Sequence, residues 1–133
     1  MPGNEYLFYY GFQSPGERTS FENGILKLAG QGTDLGCGIM VNKEAAQCLR
    51  VLFKLKGSIK KLEAWTRLRI EVYGSENDTR PAVSHEMVEQ TEWPQFTQIN
   101  IPLENQVSGM FKIQMMIIGP SEASLEFKDF QFH

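Results

Sequence analysis

The sequence predicts an all-β fold, a two-sheet antiparallel sandwich, and three observations predict it. Short runs in which apolar and polar residues alternate recur along the chain, the period-two signature of strands with one buried face. Clusters of Gly, Pro, Asn, Asp and Ser separate those runs, as turns between strands do. No apolar stripe of helical period extends beyond about one turn. With 133 residues, 41% of them hydrophobic, the chain suits one domain over residues 1–133 whose core needs no staples.

The strands follow in order. Tyr6-Leu7-Phe8-Tyr9-Tyr10-Gly11-Phe12 is aromatic-rich and suits a strand, which Gln13-Ser14-Pro15-Gly16 ends. Asn23-Gly24 introduces Ile25-Leu26-Lys27-Leu28, and a glycine-rich stretch, Gly30 to Gly36, reads as a flexible loop at the sandwich rim that leads into Cys37-Gly38-Ile39-Met40-Val41. Asn42 as a cap with Glu44, Ala45 and Ala46 predicts one helical turn over 43–47. Leu49, Val51, Phe53 and Leu55 alternate with Arg50, Leu52, Lys54 and Lys56, and Leu68, Ile70 and Val72 alternate with Arg67, Arg69, Glu71 and Tyr73. A weaker run follows at 83–88, then Thr97, Ile99 and Ile101, then Phe111, Ile113, Met115 and Ile117. The last strand is predicted over 124–132, with Leu125 and Phe127 inward and a bulge near Lys128-Asp129. Eight or nine strands favour a double-sheet jelly roll over a seven-stranded immunoglobulin-type sandwich.

Charge and composition exclude several classes of partner. A net charge of −3 and a pI near 5.4 provide no basic field for nucleic acid. No stretch approaches the ~20 apolar residues of a membrane-spanning helix, and the start lacks a basic segment followed by an apolar run. The expected compartment is therefore cytoplasmic, or extracellular if the chain is one domain of an exported protein. Cys37 and Cys48 leave both a disulfide and two separate thiols open. The only histidines are His85 and His133, which gives no metal-type Cys/His spacing.

Catalysis needs a convergent set of nucleophile, base and orienter, and the sequence gives no sign of one. Ser84, His85 and Glu86 are adjacent, so a strand points them to alternate faces. Glu63, Glu71, Glu86 and Glu92 show no spacing that selects a glycosidase pair. The Gly30–Gly38 stretch lacks the Gly-Lys-Ser/Thr ending of a phosphate loop. A basic cluster of Lys54, Lys56, Lys60, Lys61, Arg67 and Arg69 reads first as charged strand edges that deter aggregation.

Binding has more support. Alternation places Arg67, Arg69, Glu71, Tyr73, Phe96, Gln98, Asn100, Lys112, Gln114 and Met116 on the outward sides of three strands. Flat rings mixed with amides and charges suit a sugar, whose apolar ring faces stack while its hydroxyls hydrogen-bond. The candidate ligand set is Arg69, Glu71, Tyr73, Gln98, Asn100 and Gln114, with the loops around Trp65 and Trp93 as an alternative.

Four segments add a resemblance: the early strand ending in Gly11-Phe12-Gln13, the strand over 49–56, Glu92-Trp93-Pro94-Gln95-Phe96-Thr97, and Leu125-Glu126-Phe127-Lys128-Asp129-Phe130. Their order resembles the galactose-binding-like jelly rolls, in particular the carbohydrate-binding modules of plant-polysaccharide hydrolases. The resemblance implies a non-catalytic module that recognises a poly- or oligosaccharide through a sheet face or rim loops, alone or beside other domains of a longer polypeptide. It supplies the assumption that the three outward-facing strands are neighbours. It also implies, in many relatives, a structural calcium held by an acid after the first strand and an Asp on the last. Asp129 matches that pattern as the metal candidate, but Gln13 stands where the acid would be, so no resident cofactor is expected. The alternative is a protein-interaction or structural sandwich that docks through Phe96, Met116 and Ile118.

Overall fold

The computed structural model describes residues 6–74 and 79–133, with backbone alone at 6–8, 42–48 and 104–110. Eight strands follow in order: β1 (Tyr6–Gly11), β2 (Glu17–Glu22), β3 (Ile25–Thr33), β4 (Gly36–Lys61), β5 (Arg67–Tyr73), β6 (Val83–Met87), β7 (Glu92–Ile118) and β8 (Pro120–Phe132). They form a sandwich of two antiparallel five-stranded sheets, a jelly roll, because β4 and β7 each pass through both sheets.

The first sheet has the order β1-β4-β7-β5-β6 and uses residues 36–43 of β4 and 109–118 of β7. The second has the order β2-β3-β8-β4-β7 and uses residues 50–61 of β4 and 92–102 of β7. The pairing of β4 with β7 is maintained across the crossing, with register shifts between Lys43 and Cys48 and between Cys48 and Arg50. That backbone is strand, so the helical turn expected over 43–47 does not form. Pairing along the long hairpin outweighs a helix preference carried by a few residues.

The alternating apolar residues meet between the sheets. Cys37, Ile39, Ile70 and Ile113 from the first sheet and Leu28, Phe53, Ile101 and Phe127 from the second are buried in one cluster. Phe53 meets Phe127 edge-on at 6.0 Å, and Phe111 meets Phe132 at the same distance. Cys37 is a free buried thiol, so the disulfide left open by the sequence is not formed.

The expected bulge is present on β8. Leu52 faces Gln131 while Lys54 faces Lys128, which leaves one extra residue on β8, and Asp129 has a φ of 55°. The glycine-rich stretch is a correction, because it is not a loop. β3 runs to Thr33 and β4 begins at Gly36. Its glycines serve close approach: a Cβ on Gly30, at φ 137°, would lie 2.0 Å from the Gly16 carbonyl oxygen.

Phe53→Ala is expected to cost about 3–5 kcal/mol of stability in urea denaturation, because the ring is buried on all sides. Asn100→Ala, on an exposed face, should stay within ~0.5 kcal/mol of the parent.

Candidate functional site

The outer face of the first sheet can be read as rows of facing residues. One row crosses Tyr10, Gly38, Gln114, Glu71 and Ser84, and a neighbouring row crosses Gly36, Met116, Arg69 and Glu86. Beside the first row Lys112 faces Tyr73. β5 and β7 are therefore neighbours here, which places Arg69, Glu71, Tyr73 and Gln114 together.

Glycines shape the β4 part of this face. A Cβ on Gly36 would lie 2.4–2.8 Å from three atoms of the Phe12 ring, and one on Gly38 would lie 2.6 Å from the Tyr10 ring and hydroxyl. Such distances mean that each ring lies directly on a glycine backbone. The two rings are 6.4 Å apart with planes inclined by 15°. Each covers its own glycine, two residues apart on β4, so the two rings lie over the strand with nearly parallel planes. Sequence reading missed Tyr10 and Phe12 as site residues. The available signal was an aromatic pair at i and i+2 with a glycine pair at the same spacing on another strand.

A carboxylate fixes the Phe12 end. Glu17 Oε1 accepts the Gly36 N–H at 3.0 Å, while Oε2 accepts the Gln13 N–H at 2.9 Å and the Thr19 hydroxyl at 3.0 Å. The Phe12 N–H donates to the Gly36 carbonyl at 3.0 Å. The glycine under the ring and the residue after it are thus tied to one side chain, which also helps hold Gln13 at its φ of 58°.

The polar centre lies beside Tyr10. The Tyr10 hydroxyl donates to Gln114 Oε1 at 2.8 Å, and the Tyr73 hydroxyl donates to Glu71 Oε1 at 3.2 Å. The Lys112 ammonium sits 4.6 Å above the Tyr73 ring. Glu71 is only 5% exposed, yet no cation pairs with it among the described residues. Glu86 instead collects both arginines, at 2.8 Å from Arg67 Nε and 2.6 Å from Arg69 Nη2, and these bonds hold its carboxyl below the usual range. Burial pushes the Tyr10 phenol well above its ordinary value, and the Cys37 thiol, the Tyr73 phenol and Glu71 add to the shift. The Tyr73 phenol is raised as well, by burial first and then by Glu71.

The other candidate residues lie elsewhere. Gln98 faces Lys54 and Asn100 faces Leu52, on the second sheet, because β7 has changed sheets between Asn100 and Gln114. Their expected place beside Tyr73 is corrected accordingly. Trp93 is not in a rim loop: it lies in β7, fully buried, and its indole N–H has no partner among the described residues. Trp65 is exposed, in the turn between β4 and β5, with its ring against Gly119. The docking patch of Phe96, Met116 and Ile118 is also divided. Phe96 is on the second sheet under the ammonium groups of Lys128 at 4.0 Å and Lys56 at 5.6 Å, whereas Met116 and Ile118 are on the first. The basic cluster splits in the same way, with Lys56 facing Glu126 and Lys60 facing Glu122 on the second sheet.

The calcium ligands implied by the resemblance do not fit one ion. Gln13 is bound to Glu17, which through Gly30 is level with Ala123, six residues before Asp129 on β8, a separation of about 20 Å along an extended strand. Asp129 Oδ2 lies 3.3 Å from the Lys54 ammonium. Among the described residues no group of three or more acidic, His or Cys side chains gathers to hold a metal.

Comparison with known proteins finds the fold and no sequence family. No family model matches the chain, and no curated protein matches it. Solved carbohydrate-binding modules share its fold. A family 4 module aligns with a TM-score of 0.59 at 13% identity, covering 97% of this chain and 86% of the module. A family 61 module in complex with β-1,4-galactotriose aligns at 0.54 and 18% identity, covering 95% and 86%. A family 6 module from Clostridium stercorarium in complex with cellobiose aligns at 0.54 and 11%, covering 99% and 90%.

Two outcomes are expected from this geometry. In an ultraviolet titration of the four tyrosines, Tyr10 and Tyr73 should ionise above the ordinary phenol value of ~10. Because the folded state holds these protons more tightly, their contribution to stability is intact below the unfolded value and is lost as pH rises through the folded one. Chelation should leave the melting temperature unchanged, since a bound ion would have added RT ln(1 + [L]/Kd).

Proposed function

We propose that this chain is a non-catalytic glycan-binding module that holds a poly- or oligosaccharide on the outer face of its first sheet. The observation that carries this reading is the pair of nearly parallel rings, Tyr10 and Phe12, laid on glycine backbone beside Gln114 and Glu71. Rings provide flat apolar area for the hydrogen-bearing face of a sugar, while the amide and the carboxylate next to them exchange hydrogen bonds with its hydroxyls. The likeness in fold to modules solved with a galactotriose and with cellobiose supports the same class of ligand.

Binding without turnover follows from how the carboxylates are used. Glu86 is held by two guanidinium groups and Glu71 accepts a phenol, so neither is set as an acid facing a base across a scissile bond. Each hydrogen bond to a sugar replaces one to water and adds only about 1 kcal/mol.

Calorimetric titration against a panel of oligosaccharides should give micromolar to millimolar affinity, roughly 4–8 kcal/mol. Phe12→Ala and Tyr10→Ala should each weaken binding about tenfold, or about 1.4 kcal/mol, whereas Asn100→Ala should have no effect and no reducing sugar should be released. Weakening by Trp65→Ala with Phe12→Ala unchanged would move the site to the rim.

A further inference from the structure

We propose that the outer face of the second sheet holds an extended peptide of mixed charge in a trough that crosses all five of its strands. The proposal is independent of the glycan-binding reading, which concerns the other outer face.

Strand register builds the trough. One row of side chains crosses the sheet with a residue from each strand: Arg18, Ala29, Ser124, Ser58 and Glu92. The three in the middle are small, whereas the rows on either side are long. Lys27, Glu126 and Lys56 form one wall, and Gln31, Glu122 and Lys60 form the other. Two cavities lie along the row. One of about 430 Å³ has Arg18, Ala29 and Ser124 in its lining, and one of about 260 Å³ has Ser58 and Glu92. The walls are four residues apart on each strand, or about 13 Å between backbones. With the wall side chains in place, that width suits one extended chain and is too narrow for an α-helix of ~10–12 Å. Five strands at ~4.8 Å spacing make the trough about 19 Å long, the span of six or seven extended residues. Long charged side chains that keep flat surfaces off this face therefore leave room for a single thin segment.

Charge decides what that segment is. Arg18 and Lys27 are cationic at the β2 and β3 end, Glu122 and Glu126 flank the row on β8, Lys56 and Lys60 flank it on β4, and Glu92 closes it on β7. At β8 and at β4 both walls carry the same sign, so a ligand side chain meets an opposite charge whichever wall it points to. Among the described residues no ion pair occupies Arg18 or Glu92, and the exposed Ser58 and Ser124 hydroxyls have no partner. Hydroxyls donate and accept, which suits the N–H and C=O groups of a peptide lying on the base of the trough. A nucleic acid would meet the paired carboxylates of β8 with its phosphates. A neutral glycan has no charge to match the walls and finds no ring in the row. An extended peptide with acidic and basic residues in alternation fits both the base and the walls.

The test uses two fluorescein-labelled heptapeptides of one composition, titrated by fluorescence anisotropy. Glu-Ser-Gly-Lys-Glu-Ser-Lys puts acid, base, acid and base at the spacing of β2, β8, β4 and β7, and Glu-Glu-Ser-Gly-Ser-Lys-Lys separates the signs. The first should bind the parent at least about fivefold more tightly at low ionic strength, and the difference should vanish in about 0.5 M salt. Ser124→Gln, an exposed change that fills the base of the trough, should weaken the first peptide about tenfold in a chain whose circular dichroism is unaltered. Phe12→Ala should leave peptide binding unchanged. Amide chemical shifts of the parent should move at Ala29, Ser58 and Ser124 and stay fixed at Gly36 and Gly38. No binding of either peptide, equal affinity for both, affinity unaffected by Ser124→Gln, or shifts centred on Gly36 and Gly38 would overturn the proposal. None of these results would bear on glycan binding to the first sheet.

Discussion

The antiparallel pairing of β4 with β7 is the constraint on which the rest of the structure depends. The two strands are matched from Gly36 with Met116 to Ser58 with Glu92, and in doing so they belong to both sheets. A sandwich is otherwise two separate surfaces joined by loops. Here one continuous ladder fixes how the sheets lie across the core, so that Ile39 and Ile113 from one and Phe53 and Ile99 from the other point into the same interior. The same ladder sets which side chains share an outer face. Gln114 faces Gly38 in the first sheet and Gln98 faces Lys54 in the second, although both amides belong to one strand.

The two outer faces are built differently, and the difference explains why only one is a platform. On the second sheet Lys27 and Lys56 flank Glu126, Lys60 faces Glu122, and Lys128 covers the Phe96 ring, so cationic side chains stand over the surface. Such a face stays solvated and discourages edge or face association. On the first sheet Gly36 and Gly38 remove the side chains of β4 at the centre, and rings from β1 and from the residue after it settle into the space. The absence of a Cβ is what converts a strand surface into a floor.

Three carboxylates divide the electrostatic work around that floor. Glu17 receives two backbone N–H groups and a hydroxyl, and so acts as a brace. Glu86 takes both guanidinium groups from its place on β6, at the edge of the sheet. Glu71 is buried at the centre and accepts the Tyr73 hydroxyl.

The sequence by itself determined the fold class, most of the core and every strand region except β2 (Glu17–Glu22), which no alternating run announced. Period-two alternation puts Leu68, Ile70 and Val72 on one side of β5 and Arg69, Glu71 and Tyr73 on the other, and the first three are fully buried, although Glu71 is buried as well by what covers the outer face. The bulge near Asp129 was legible for the same reason, as a break in that alternation. Which outward sets share a face was not legible, because alternation is a property of one strand and adjacency is a property of two. Gln98, Asn100 and Gln114 all read as outward on β7, yet a change of sheet separates the first two from the third. Trp93 reads as a loop aromatic beside Pro94, but the register opposite Gly57 carries it into the core. The platform depended on tertiary structure most of all. Phe12 lies 24 residues before Gly36 and Tyr10 lies 28 before Gly38, and nothing in either segment states that one will rest on the other. Only the pairing of β1 with β4 brings rings and glycines into register, and that pairing is decided by the packed sandwich as a whole.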